Sequence, residues 1–496
     1  MESTLGNLLA GFAAAATPET LLYAVVGCVT GTIVGVLPGI GPLVGISVLL
    51  PATYGLDITQ ALVVLAGVYY GAMYGGAITS ILLNIPGDAA AIVTCIDGAP
   101  MAKNGRPGVA LATAALSSFT GGTISIIWLM LLAPPLARLA LQFGPAEYFS
   151  LIFFGLIVLC YTGGKLFKSL AMILLGLILG LISIDHMTGY YRMTFGIVHF
   201  GDGLDIVAVA VGMFGISEIL ATAGKRHNEK LLVPKLRELF PTRQDLRLAA
   251  PAIGRGHIIG FFFGLIPGAA HIISTFMAYA VERRVAKDTS QFGKGAIQGL
   301  AAPESANNSA TVSTFIPMLA MGLPTGAIPA ILLAAVMIHG IKPGPLFITE
   351  HALTFWTLIA SMYIGNIILL ILNIPMVGLF VNILRIPYHI LYPAILVFSI
   401  IGCYGPKGSY IEVLVMAFMG VLAYVLRKLE LEAAPVILGL LLSPTLEFNF
   451  RQGLALSNGS FAIFVERPIS LFFLCSAALM FCLSIRGYYK KRPQTQ

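Results

Sequence analysis

Charge is scarce in this chain. Only 10% of its 496 residues are Asp, Glu, Lys or Arg, against 57% apolar residues. A soluble globular protein carries about 25% charged residues, so a chain this long could not cover a water-facing surface. Apolar stretches near or above the roughly 18–20 residues that span a bilayer recur along the whole length. They predict an all-α polytopic membrane protein with about eleven transmembrane helices and two re-entrant hairpins. No Lys or Arg accompanies Glu2 ahead of the first short apolar stretch, so a secretory signal is not expected. Residues 5–16 are expected to lie in the interface or to begin the first membrane segment.

Other absences narrow the chemistry. The six cysteines, Cys28, Cys95, Cys160, Cys403, Cys475 and Cys482, form no CxxC pair, which argues against a metal site or a disulfide framework. The eight histidines are scattered without HExxH, and no GxxxxGK[ST] loop is present for a nucleotide. No soluble basic stripe offers itself to nucleic acid. No cofactor is therefore expected, apart from a sodium ion as one option.

What charge there is has a direction. Threading the chain through its apolar segments places 23 of the 29 Lys and Arg residues on one side. They include Lys103, Arg106, Arg283, Arg284, Arg427, Lys428, the tail and a basic loop at 224–255. The other side receives Arg138, Arg192, Lys342, Lys407, Arg451 and Arg467. Basic loops face the cytoplasm, so the first side is read as cytoplasmic, together with the C-terminus.

The loop at 224–255 separates two halves, 1–223 and 256–496, that begin alike. GCVTGTIVGVLPG (27–39) and GHIIGFFFGLIPG (256–268) each space glycines four apart, at Gly27, Gly31, Gly35 and at Gly256, Gly260, Gly264. Each series runs into Pro-Gly, Pro38-Gly39 and Pro267-Gly268. GxxxG alone reads as close helix packing; two copies at one distance from Pro-Gly suggest a repeat. GGAITSILLNIPG (75–87) and STFIPMLAMGLPT (313–325) then each bring a small-residue helix to a proline inside a long apolar stretch. The segment around Pro38 has no basic residue on either flank, whereas that around Pro267 has them on both. This predicts hairpins near 25–53 and 256–281 entering from opposite sides, and broken helices over 58–97 and 296–339. The result is an inverted-topology repeat, a common plan for secondary transporters.

Breaks at mid-membrane leave backbone groups without partners and survive where they line a cavity. Freed N–H groups at half-helix starts suit an anion, and freed carbonyls suit a small cation. Candidate substrate-binding residues are therefore Pro38, Gly39, Asn84, Pro86, Gly87, Pro267, Gly268, Asn307, Asn308, Pro324 and Thr325. Candidate coupling-ion ligands are Thr79, Ser80, Asp88, Ser309, Thr311 and Ser313. For any one hydroxyl, a bond to its own helix competes on even terms. Asp88 could equally cap the half-helix that follows it. Glu304 is expected to carry a cation or proton or to pair with a basic residue at the rim, Asp97 to sit at the rim near Lys103, and Asp185-His186 to be solvated at a helix end.

The same segments resemble the large membrane subunit of the bacterial tripartite tricarboxylate transporters. The matching stretches are GVLPGIGP (35–42), the run 69–111, the run 302–345 and PVILGLLLSPTLEFNFRQGLALSNGSFAIFVERPI (435–469). The family's glycine-proline hairpin corresponds to Leu37–Pro42, its Asn-Ile-Pro-Gly segment to Asn84–Gly87, and its Pro-Glu…Asn-Asn segment to Pro303–Asn308. LPTG (323–326) departs from the family's usual Pro-Gly, which puts the substrate in doubt and leaves the class intact. The resemblance implies a bacterial inner-membrane protein importing citrate or other small carboxylates on a sodium or proton gradient. Its implied partners are a periplasmic solute-binding protein and a small membrane subunit of about four spans, with the oligomeric state left open, a homo-oligomer included. An anion channel would need a continuous basic pore. An intramembrane protease would need two facing aspartates, and Asp88 has no apparent mate. Near the tail, Glu447, Arg451, Ser457, Asn458, Gly459 and Arg467 could draw anions or dock the binding protein, or simply fold a loop through Glu447–Arg451 pairing at helical spacing.

Overall fold

A computed structural model describes residues 2–37, 41–162, 166–185, 187–222, 239–267, 270–383, 388–404 and 408–490. Among these, six helices are long and apolar enough to cross a membrane, and seven shorter apolar helices accompany them. The only sheet among them is a two-residue hairpin, β1 (Ser183–Ile184) with β2 (Tyr191–Arg192). The fold is that of an all-α polytopic membrane protein.

The first half opens with α1 (Glu2–Ala15), α2 (Pro18–Val36) and α3 (Gly41–Leu49). Then come α4 (Ile58–Leu83), α5 (Ile92–Lys103), the long α6 (Pro107–Ala140), α7 (Pro145–Thr162) and α8 (Leu166–Gly180). After the β-hairpin, α9 (Ile206–Ala210) and α10 (Ser217–Thr222) are joined by a π-helical stretch, Val211–Ile216. The second half has α11 (Arg243–Gly264), α12 (Ala270–Val285), α13 (Ile297–Ser313), α14 (Phe315–Met321) and α15 (Ala327–Ile338). It continues through α16 (Phe347–Glu350), α17 (Ala352–Asn373), α18 (Val377–Ile383), α19 (Tyr388–Tyr404), α20 (Tyr410–Lys428), α21 (Ala434–Leu456), α22 (Ile463–Glu466) and α23 (Pro468–Lys490).

The glycine series explain how the two hairpins are seated. A Cβ on Gly27, Gly31 or Gly35 would lie 2.5, 2.4 and 2.2 Å from the carbonyl oxygens of Val64, Val68 and Ala72. Gly67, Gly71 and Gly75 of α4 face back with no side chain, so α2 and α4 meet backbone to backbone and run in the same direction. The second half repeats the device. Gly256, Gly260 and Gly264 of α11 would clash with the backbone of Ala302, Ala306 and Ala310 on α13. In lipid, helix association depends on such packing because the tails are as apolar as the side chains.

The two halves are set head to tail. The residues before α13 meet the end of α5, where Asp97 receives the N–H groups of Gly293, Gly295 and Ala296 at 2.8 Å each. The residues before α4 meet the end of α15, where His339 Nε2 lies 3.2 Å from the Leu56 carbonyl. α4 and α13 are thus antiparallel.

Several boundaries differ from the sequence expectation. The first hairpin begins at Pro18, not near 25, since proline at a first helical turn needs no N–H partner. The basic loop expected over 224–255 gives way to α11 from Arg243. There Thr242 and Asp245 form a reciprocal capping box, and Arg106 pairs with Asp245 at 2.7 Å. The second hairpin accordingly starts thirteen residues earlier than 256 and ends at Val285. The first broken helix runs on to Lys103 instead of stopping at 97. The second has an extra interruption at Thr314, where Pro317 withholds the N–H that would bond Ser313.

Gly260→Ala should force α11 off α13 and destabilise the protein by about 1–3 kcal/mol. Gly254→Ala, in the same helix but with nothing within 4 Å, should be neutral or stabilising by up to about 1 kcal/mol. Melting of the purified variants in detergent checks both; equal melting temperatures would contradict the packing described.

Candidate functional site

Both broken helices stop in the same way. At the end of α4, Asn84 is left-handed (φ 56) and the Ile85 N–H reaches back to the Thr79 carbonyl. At the end of α14, Gly322 is left-handed (φ 71) and the Leu323 N–H reaches back to the Pro317 carbonyl. Each is a six-to-one helix-ending turn, and in each the next residue but one is proline, Pro86 or Pro324. The chain then turns back on itself. A Cβ on Gly87 would lie 2.5 Å from Gly76 Cα and 2.9 Å from the Gly35 carbonyl, so the first break is pressed against α4 and α2 and only glycine fits.

The interruptions share one cavity of about 660 Å³. Its wall includes Gly41–Val44 at the start of α3, Pro86–Ala90 and Ile92 at the first break, His271 and Ile272 at the start of α12, and Gly326–Pro329 at the start of α15. Four half-helix N-termini therefore face one space. The far wall is the π-helical stretch and α10, with Met213, Phe214, Ser217 and Glu218. Local π geometry often accompanies function. The mouth carries Arg427 and Leu431–Ala434, and Arg427 is paired with Glu218 at 2.5 Å.

The candidate residues divide. Pro86, Gly87 and Asp88 line this cavity. Asp88 accepts the Ala91 N–H at 2.8 Å and so caps the turn into α5. Asn84 is exposed at the end of α4. Pro267, Pro324 and Thr325 line a separate apolar cavity of about 280 Å³ between α6, α7 and α21. Pro38, Gly39 and Gly268 lie outside the described residues. Four hydroxyls bond to their own helix: Thr79 and Ser80 to the Gly76 carbonyl, Thr311 to Asn307 and Ser313 to Ala310. Ser309 bridges α11 and α6, meeting the His257 carbonyl at 2.9 Å and Ser125 Oγ at 2.6 Å. Asn308 donates to the Glu304 carbonyl at 3.2 Å. Asn307 Oδ1 and Thr325 Oγ1 are buried without a partner.

Asp97 and Asp185 depart from expectation, and Glu304 keeps one of its two alternatives. Asp97 is no rim residue: it is fully buried, because three N–H groups ahead of α13 converge on it. Glu304 is buried on α13 and accepts hydroxyls from Thr94 of α5 and Ser118 of α6; among the described residues it pairs with no basic side chain, which removes one of its two expected roles. Asp185 is not a solvated helix end. It is buried against Arg451, which lies 2.9 Å away and also meets Glu447 at 3.0 Å, while Arg192 meets Glu447 at 2.7 Å. His186 lies outside the described residues. This ion-pair cluster walls a second cavity of about 470 Å³, to which α15 contributes Ala334, Met337 and Ile338. α15 thus runs from one cavity to the other. Arg467 pairs with Glu147 at 3.1 Å.

Sequence reasoning missed His271, whose Nε2 lies 2.7 Å from the Tyr69 hydroxyl in the cavity wall. A polar residue four places beyond Pro267 was the available signal. Nothing local marked Asp97, whose partners lie nearly 200 residues away.

A family model described as the tripartite tricarboxylate transporter TctA family matches residues 21–438. An "uncharacterized 52.8 kDa protein in TAR-I ttuC' 3'region" of Agrobacterium vitis is 42% identical over 471 residues, covering 95% of this chain and 94% of that protein. A second Agrobacterium vitis protein, from the TAR-II ttuC' 3'region, is 43% identical over 211 residues, which are 42% of this chain and 87% of that one. No solved structure matches.

Asp97→Ala would remove the acceptor of three N–H groups, of which that of Ala296 is buried, and should cost about 1–3 kcal/mol, with Asp97→Asn less damaging because one acceptor remains. Thermal melting of the two variants measures this. At the second cavity, Arg451, the Met187 N–H and the Thr188 hydroxyl hold the Asp185 carboxyl well below the usual carboxylate range. Its contribution to stability is complete at neutral pH and is lost as pH falls through the lowered value. The melting-temperature gap between wild type and Asp185→Asn should stay constant down to about pH 4 and close only in stronger acid.

Proposed function

Because the chain belongs to the tripartite tricarboxylate transporter TctA family and is a multi-pass membrane protein of transport, we propose that it is the subunit that carries substrate across the membrane. The substrate is a tricarboxylate such as citrate, or another small carboxylate, imported across a bacterial inner membrane on a sodium or proton gradient. A periplasmic solute-binding protein delivers it, and a small membrane subunit completes the complex.

The observation that carries this is the convergence of four half-helix starts, at Gly41, Ile92, Ala270 and Ala327, on one cavity. Unpaired N–H groups and partial positive charge at such starts favour an anion by about 0.3–1 kcal/mol each, and up to about 2 when partly buried. The start of α5 already holds the Asp88 carboxylate, so the remaining starts contribute about 1–3 kcal/mol together, which makes a weak site. The one arginine at the mouth is engaged by Glu218, so no fixed cation traps the ligand. A site of this strength suits release, while the binding protein supplies affinity. With Arg427 and Lys428 on the cytoplasmic side, the cavity opens inward and the Asp185–Arg451–Glu447–Arg192 cluster lies at the outer end of α15. α15 and α3 moving against the π-helical wall would open the cavities in turn.

Uptake of labelled citrate into vesicles holding the complex and the binding protein should require both the binding protein and an imposed ion gradient. Ala89 is exposed and lines the cavity. Ala89→Glu should lower uptake at low substrate at least tenfold, equivalent to about 1.4 kcal/mol, whereas Ala89→Gln should change it little. Equal uptake by the two would remove the anion from this cavity, and an assembled complex that moves no carboxylate would remove the substrate class.

A further inference from the structure

Two carboxylates are buried a short distance apart in the chain's interior, and their partners are chemically opposite. Asp97 is bound by three backbone N–H groups. Those groups can only donate, and all three meet Oδ1. Glu304 is 1% exposed and is bound by two hydroxyls. Thr94 Oγ1 of α5 donates to Oε1, and Ser118 Oγ of α6 donates to Oε2 at 3.1 Å. A hydroxyl both donates and accepts. The ionised carboxylate can accept from both; the protonated acid can donate to one hydroxyl and accept from the other. This setting stays satisfied whichever state Glu304 is in.

Among the described residues, no basic side chain pairs with Glu304. The titratable groups that face Glu304 are Asp88 at the first break, Tyr74 of α4 and Cys95 of α5. α6 carries its one basic residue, Arg138, in its last turn. On α11, His257 is engaged with Ser309 and Ser125, and Arg255 is paired with Glu282 of α12. From α17, Asn366 takes the Tyr74 hydroxyl at 2.6 Å. A buried carboxylate without a cation is costly, and taking up a proton removes the cost.

From this geometry we propose that Glu304 is a proton-binding site that couples carboxylate movement to a proton gradient, an inference that rests on the transport function proposed above. Glu304 is linked to the cavity through α5, whose Ile92 lines it, and through Asp88, which lines it directly and acts electrostatically on Glu304. An anion entering beside two carboxylates is repelled. A proton passes from hydronium to a Glu304 oxygen, forming an O–H bond and leaving water, and one negative charge disappears. Anion and proton then favour each other's binding by the same factor. On the other side the proton returns to water and the anion is expelled. Thr94 and Ser118 come from α5 and α6, so a shift of either helix against α13 alters the hydroxyl contacts and the ease of release.

The test uses the reconstituted complex in sodium-free vesicles. An inward proton gradient should drive citrate accumulation by wild type. Glu304→Gln should lose at least tenfold of that accumulation, while citrate exchange persists and no longer varies with pH. Thr94→Val and Ser118→Ala remove a donor to the ionised form, so each should move the pH midpoint of exchange upward. Infrared difference spectra of the purified chain should show a protonated-carboxyl band that titrates and vanishes in Glu304→Gln, which reads the proton site even if citrate proves not to be the substrate. Gradient-driven accumulation of wild-type size by Glu304→Gln would overturn the proposal, as would the absence of a titrating band in wild type.

Discussion

A peptide group freed from its helix in the middle of a membrane has no water to turn to, and the architecture follows from meeting that demand four times over. At Asn84 and Gly322 a left-handed residue lets the next N–H reach back six residues, which closes the ends of α4 and α14 without outside help. The starts of the next half-helices have no such six-to-one turn, because their first N–H groups point forward, although Asp88 accepts the Ala91 N–H at the start of α5. They are brought to a shared cavity instead. The glycine series make this geometry attainable: α2 and α11 can approach α4 and α13 only where neither backbone carries a side chain at the crossing.

Those constraints shape the chemistry of the cavity. An anion held by helix starts needs no buried arginine, and the guanidinium at the mouth is already paired. Fixed cations are concentrated at the other cavity, where Arg192 and Arg451 are tied to Asp185 and Glu447. The acids inside the membrane are sorted by their partners. Asp97 joins the two halves through three backbone N–H groups, and Glu304 meets two hydroxyls that can both donate and accept.

Much of this was legible in the residues. Gly27, Gly31, Gly35 and their counterparts mark close packing because a missing Cβ acts at the residue itself. Pro86 and Pro324 mark breaks because proline removes its own N–H. The start of α11 was misjudged because the basic composition of 243–255 resembles a loop, while the Thr242–Asp245 box that begins the helix is a two-residue signal easily outweighed. Thr79, Ser80, Thr311 and Ser313 are polar residues in an apolar stretch, but the carbonyl four or three residues back is always available to them. Their spacing alone cannot separate that bond from a ligand.

Residue by residue, the chain marks the membrane class and the breaks at Pro86 and Pro324, since each depends on local composition or on a property of one residue. Only the packing of the halves brings half-helix starts to one cavity, joins the halves at Asp97 and gives Glu304 two hydroxyl partners. Those facts concern partners such as Thr94 and Glu304, separated by 210 residues. Hydrogen-bond partners at that separation are set by how the two halves pack, which no local pattern encodes.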